Sequence, residues 1–114
     1  MFARKIMSLC ALAIVSACAV WPAGKDPKGK ELCDNARPVL AALAAYERQN
    51  GQYPQSLHEL VPNFIVRIPF NPGLRFHRDT GIVEFAYTPS WPQTEEVYCA
   101  AHASEADWTC RSRP

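Results

Sequence analysis

The chain reads as an α+β protein, an N-terminal helix packed on a small antiparallel sheet of three to four strands. Three observations predict it. Apolar residues recur at spacings of three and four through Leu32, Ala36, Leu40 and Leu43, the period of a helix with one buried face. Short runs at 74–78, 82–88, 95–101 and 108–111 carry strand-forming residues between turn-forming ones. The helix comes first and the strands follow without alternation, which suits a helix laid across one face of an antiparallel sheet. No internal repeat is present.

The first 17 residues are set aside from this fold. Arg4-Lys5 precedes an apolar run from Ile6 to Val15 that ends in small residues, the order of an export signal. A transmembrane helix needs about 20 apolar residues. This run instead meets Trp21-Pro22-Ala23-Gly24-Lys25-Asp26-Pro27, which is polar and rich in helix breakers. Val15-Ser16-Ala17-Cys18 resembles a bacterial lipobox, which implies that Cys18 becomes the acylated first residue of the mature protein. The alternative is an ordinary cleaved signal and a soluble product. Cys10 is a poorer lipid site, since Leu9 precedes it and the apolar run is half finished there. Ala19 stands where inner-membrane lipoproteins of some bacteria carry Asp, so the expected location is the outer membrane, facing the periplasm. The division is then 1–17 signal peptide, 18–30 flexible tether and 31–114 one α+β domain.

So small a domain buries only roughly 60–65% of its unfolded surface, which makes covalent staples matter. Without Arg4 and Lys5, ten Lys or Arg face eleven Asp or Glu, a formal charge of −1. No nucleic-acid footprint is present. Lys25, Lys28 and Lys30 form the one basic cluster, in the tether, where each contributes about 1 kcal/mol beside an anionic membrane and otherwise serves as solvated spacer.

The helix is expected to start near Cys33, with Pro38 as a local distortion, and to end at Asn50-Gly51, where Gly supplies the left-handed cap. Ser56-Leu57-His58-Glu59 reads as a capping box opening a short second helix that Pro62 limits. Phe64 to Ile68 is extended and leads into the sheet. Asp79-Thr80-Gly81 reads as the turn of a hairpin between the first two strands.

Taken together, Tyr46-Glu47-Arg48-Gln49-Asn50-Gly51-Gln52-Tyr53-Pro54, Ser56-Leu57-His58-Glu59-Leu60 and Arg67-Ile68-Pro69 resemble the globular head of type II secretion pseudopilins and related type IV pilin-like proteins. The resemblance covers about 45 residues well, and the strands by pattern. It implies a pilin-head-like fold, and secretion or pilus proteins as partners. The chain departs from that family in two respects. Residues 1–30 stand where the family carries a peptidase site and a long apolar polymerising helix, so assembly by the family's route is not expected. The acids after Asn71-Pro72-Gly73 are too scattered for the family's calcium loop.

Of the remaining cysteines, Cys99 and Cys110 lie in predicted strands joined by ten residues, and their pairing is favoured, as in the carboxyl-end disulfide of many pilin-like heads. Cys33 is then a buried thiol or a reactive one, and its pairing with Cys99 or Cys110 stays open. A zinc site from Cys99, His102, Asp107 and Cys110 lacks a second ligand pair, and no metal or cofactor is expected. His58 and His77 have no partner at helical or strand spacing. Cys33 with His58 makes a nucleophile pair only if the fold joins them, so no enzyme activity is expected. Trp91, between Pro89 and Pro92, is the candidate partner contact, because Trp is enriched at binding hot spots and prolines lower the ordering cost. Its alternative role is as a lid on the core.

The sequence therefore points to a lipid-anchored envelope interaction module, and the resemblance implies an accessory role beside a type II secretion or type IV pilus system. The rivals are an envelope scaffold or ligand-binding lipoprotein unrelated to secretion, and a small thiol- or metal-dependent enzyme.

Overall fold

A computed structural model describes residues 21–113. The expected signal peptide and the expected lipid site at Cys18 lie outside the described residues. Among the described residues, one helix, α1 (Pro27–Asn50), a single 3-10 turn (Leu57–Leu60) and four strands follow in order: β1 (Arg75–His77), β2 (Ile82–Tyr87), β3 (Val97–His102) and β4 (Thr109–Ser112). The strands form one antiparallel meander in the order β1-β2-β3-β4. This is the α+β class that the sequence predicts.

The start of α1 differs from expectation. It begins at Pro27, six residues before Cys33, with Asp26 as N-cap and Pro27 in the first turn. An Asp-Pro pair is a strong start signal, because Asp accepts from a free first-turn amide and proline's fixed φ already suits the helix. The Pro/Gly/Lys composition of 22–30 conceals it. The lysines assigned to a tether therefore belong to a folded strap (Lys25) and the first helical turn (Lys28, Lys30). Pro38 is accommodated inside the helix on its exposed side.

The buried face of α1 carries Gly29, Leu32, Cys33, Ala36, Val39, Leu40 and Leu43. It meets the inward side chains of the sheet in two adjoining clusters. Val39, Leu40 and Leu43 pack with Leu60, Val83 and Ala101; Leu32, Cys33 and Ala36 pack with Phe85, Tyr87, Val97 and Cys99. Burial of each large aliphatic contributes about 1.5–3 kcal/mol. At the far end Gly51 takes φ 80° and donates its amide to the Glu47 carbonyl at 2.8 Å, as Asn50-Gly51 predicts.

The capping box does not form. Leu57–Leu60 is one 3-10 turn, and the Ser56 hydroxyl makes no capping bond. Glu59 instead accepts from the Tyr46 hydroxyl at 3.2 Å, which ties the turn to α1 while Leu60 enters the core. The expected extended stretch 64–68 forms no strand, and its start is a turn in which the Phe64 and Ile65 amides donate to the Leu60 carbonyl at 2.9 and 3.2 Å. The hairpin turn closes with the Thr80 and Gly81 amides donating to the His77 carbonyl at 3.2 and 2.8 Å. Gly81 has φ 73°, and a methyl there would stand 2.8 Å from the Tyr53 ring, which places the Tyr53-Pro54 segment against the turn.

Candidate functional site

The Cys99–Cys110 disulfide joins directly opposed residues of β3 and β4. Both sulfurs face α1, where the buried Cys33 thiol lies. The three sulfurs are all within 4.8 Å of one another. Burial first, and the negative charge of Asp107 second, raise the Cys33 pKa above the ordinary thiol value, so Cys33 is a protonated thiol at neutral pH. Trp108 covers this group, donating its indole N–H to the Cys33 carbonyl at 3.1 Å and meeting Phe85 edge-on at 5.0 Å.

Across the sulfurs runs the strap, Trp21–Asp26. The Lys25 amide donates to the Pro22 carbonyl at 2.9 Å, and Gly24 turns the chain with φ +82°. A Cβ on Gly24 would stand 2.7 Å from Cys110 Sγ, so only glycine allows the strap this close to the disulfide. Beside it a cavity of about 310 Å³ opens between Lys25, Lys30, Cys33, Arg37, Asp107 and Trp108.

Asp26 is the keystone of the strap, with 1% of its surface exposed. It accepts from the Tyr87 hydroxyl at 2.6 Å, from the Ser90 amide at 3.0 Å and from the Gly29 amide at 3.4 Å. Burial alone would raise its pKa. The bond from Tyr87 and the backbone donors outweigh that and hold the carboxyl below its ordinary value. Tyr87 shifts upward, through burial and then through its bond to Asp26. Gly29 is required by the same geometry, since a Cβ there would overlap the Tyr87 hydroxyl.

The second clamp is Gln93. Its side chain donates to the Trp21 carbonyl at 3.0 Å and accepts from the Trp21 amide at 3.4 Å. The 88–93 loop is thus pinned to the strap at Ser90 and at Gln93. Between these two bonds stands Trp91, 85% exposed. It belongs to neither core cluster and so is not a lid. Of its flanking prolines, Pro89 is buried and holds the loop, and Pro92 is exposed.

The remaining sequence candidates do not converge. Cys99 and Cys110 face inward, but His102 projects from the other side of β3, bonding Ser104 at 2.8 Å, and Asp107 pairs with Arg37 at 3.0 Å. The imagined four-ligand zinc set is therefore not assembled. His58 sits on the 3-10 turn, which α1 meets at Tyr46; Cys33 is 13 positions earlier, about 20 Å along the helix at 1.5 Å per residue, so the two form no pair.

His77, expected to lack a partner, has one. Its Nε2 lies 2.8 Å from Glu84, which also receives Arg75 at 2.9 Å and the Tyr98 hydroxyl. The signal was present in Arg75-x-His77, whose alternate residues share the outer face of β1 opposite Glu84. The Tyr98 hydroxyl first, and His77 second, lower the Glu84 pKa. The Asp26 network had a weaker signal, because its partners lie 61 and 64 residues away.

Comparison of the chain with protein-family models, with curated proteins and with solved structures gave no match.

Proposed function

We propose that this protein is a lipid-anchored interaction module of the bacterial cell envelope that works by contact. The observation that carries the reading is the exposure of large apolar side chains on a domain with little core to spare. Trp91 is 85%, Val66 84% and Phe70 97% exposed. Val66 and Phe70 flank an open groove of about 870 Å³, floored in part by Pro38, Ile65 and Ile68. A contiguous apolar surface of this kind marks a contact site. The order of residues 1–18 supports the lipid anchor, and the pseudopilin-like segments support a setting beside a type II secretion or type IV pilus machine. The protonated, covered thiol of Cys33 is a weak nucleophile, which favours contact over catalysis.

The anchor is tested by Cys18→Ala, which is expected to leave an unprocessed precursor; normal maturation would overturn it. The module is tested by photocrosslinking in cells from positions 70 and 91. Secretion or pilus proteins captured from position 70 are the expected result. Capture of cell-wall or outer-membrane proteins alone would favour a scaffold unrelated to secretion, and no protein from either position would overturn the interaction reading.

A further inference from the structure

We propose that the Trp91 loop is a membrane-contact element: Trp91, with Trp21 and the exposed lysines at the start of the fold, rests in the headgroup region of the bilayer that holds the Cys18 lipid, and so fixes the orientation of the head. The inference rests on the lipid-anchor reading above and names what the Trp91 surface meets.

The geometry begins with the strap. Trp21 is three residues beyond Cys18, a span of at most about 11 Å even fully extended. The polar headgroup layer is itself roughly 5–8 Å deep on each side of the hydrocarbon core. Trp21 is therefore held close above the headgroups. It does not act as a swivel, because both its backbone groups are bound by the Gln93 side chain. The Gln93 backbone N–H in turn donates to the Ser90 carbonyl at 3.1 Å, and the Ser90 N–H donates to Asp26. These bonds leave Trp91 projecting from the edge of the domain at which the anchoring segment arrives.

The chemistry of that edge suits a bilayer surface. Trp91 is 85% and Trp21 39% exposed. An indole has an apolar body and one N–H donor, a combination that favours the membrane-water boundary over either phase. Lys25, Lys28 and Lys30 are exposed in the strap and first helical turn, where anionic headgroups attract them, while the Asp26 charge is buried and bonded and Glu31 is exposed beside them. A soluble protein would need a large insertion energy to be recruited by two indoles. Here the acyl anchor makes the contact intramolecular, so a modest preference suffices to select one orientation.

The test uses the mature protein purified from cell membranes and reconstituted into vesicles of phosphatidylethanolamine and phosphatidylglycerol carrying a brominated phosphatidylcholine. Mass spectrometry of the same preparation reads acylation of Cys18. With the acylated protein, tryptophan emission is expected to be quenched by the brominated lipid, and Trp91→Phe to remove at least half of the quenchable emission. Trp108, packed edge-on against Phe85 and bonded to the Cys33 carbonyl, supplies the background. Trp91→Phe alters an exposed side chain, and an unchanged unfolding curve verifies its fold. Acylated protein with unquenched emission, or quenching that survives Trp91→Phe intact, would overturn the proposal. So would Trp91 that is dark to lipid yet captures a protein in cells, which would assign the loop to a protein partner. An unacylated preparation would overturn the anchor itself, and the mass separates that outcome from the others.

Discussion

Replacing Asp26 by Ala removes three things at once: the N-cap of α1, the acceptor for the Tyr87 hydroxyl and the acceptor for the Ser90 amide. Loss of a cap costs about 0.5–2 kcal/mol. A buried donor left without an acceptor costs about 1–3 kcal/mol, and the Tyr87 hydroxyl is such a donor. The Ser90 amide is only partly buried and recovers some of its loss from water. The total is about 2–5 kcal/mol, against roughly 5–13 kcal/mol for a domain of roughly 90 residues. Asp26→Asn keeps a cap and an acceptor oxygen, so it is expected to lose about 1–2 kcal/mol, chiefly the charge assistance. Urea unfolding followed by circular dichroism reads both. The sign with pH is fixed by the lowered Asp26 pKa: the stabilisation is complete above the ordinary carboxyl value of 3.8 and is lost as pH falls through the folded value. Wild-type protein should lose this increment in acid, and Asp26→Asn should not. Asp26→Ala unfolding within about 1 kcal/mol of wild type would refute the reasoning, because the carboxylate would then be solvated and the strap held by something else.

Three further outcomes follow from the same packing. Gly29→Ala should destabilise by about 1–3 kcal/mol despite a helix-propensity gain of about 1 kcal/mol, since the methyl meets Tyr87; thermal melts check it, and a stabilised variant would move Tyr87 off the helix. Cys110→Ser leaves Cys99 beside Cys33, so air-oxidised protein should carry a Cys33–Cys99 disulfide in non-reducing peptide maps; two free thiols would contradict the sulfur cluster. With the raised Tyr87 pKa, the neutral phenol is the stabilising form, so stability should fall above pH 10 in the wild type and fall less in Tyr87→Phe; equal alkaline curves would count against the Asp26–Tyr87 bond.

The parts of this fold that were legible are those whose causes are local. Asn50-Gly51 ends the helix and Asp79-Thr80-Gly81 turns the hairpin through backbone conformations that a few adjacent residues decide. The Cys99–Cys110 pairing is favoured by sequence because both fall in strands joined by a short connection, and the observed register sets them directly opposite. The start of α1 was misread because Gly29 looks like a helix breaker, and its reason is Tyr87, 58 residues further on. The 3-10 turn shows the opposite failure. Ser56 and Glu59 have the spacing of a capping box, but Glu59 has a better-placed donor in Tyr46. At the site, the prolines beside Trp91 fit an exposed contact or a lid equally, and the clamp from Gln93 to Trp21 that decides for exposure spans 72 residues and leaves no local pattern.

The strap changes what an anchor at Cys18 would do. Residues 18–30 as a flexible coil would let the head wander about 20 Å from its lipid. Trp21, only three residues beyond Cys18, is instead held by Gln93, and Asp26 ties the strap to Ser90 of the same loop. The Asp26 cluster then has two roles that one substitution should separate. Asp26→Asn keeps the fold while weakening the hold on Ser90, so its effect on lipid quenching of Trp91 should exceed its effect on the unfolding midpoint. A head that only hangs from its lipid has no reason to fix this loop at two points. A head that must present the Val66–Phe70 groove at a set height and angle to a partner in the same membrane does.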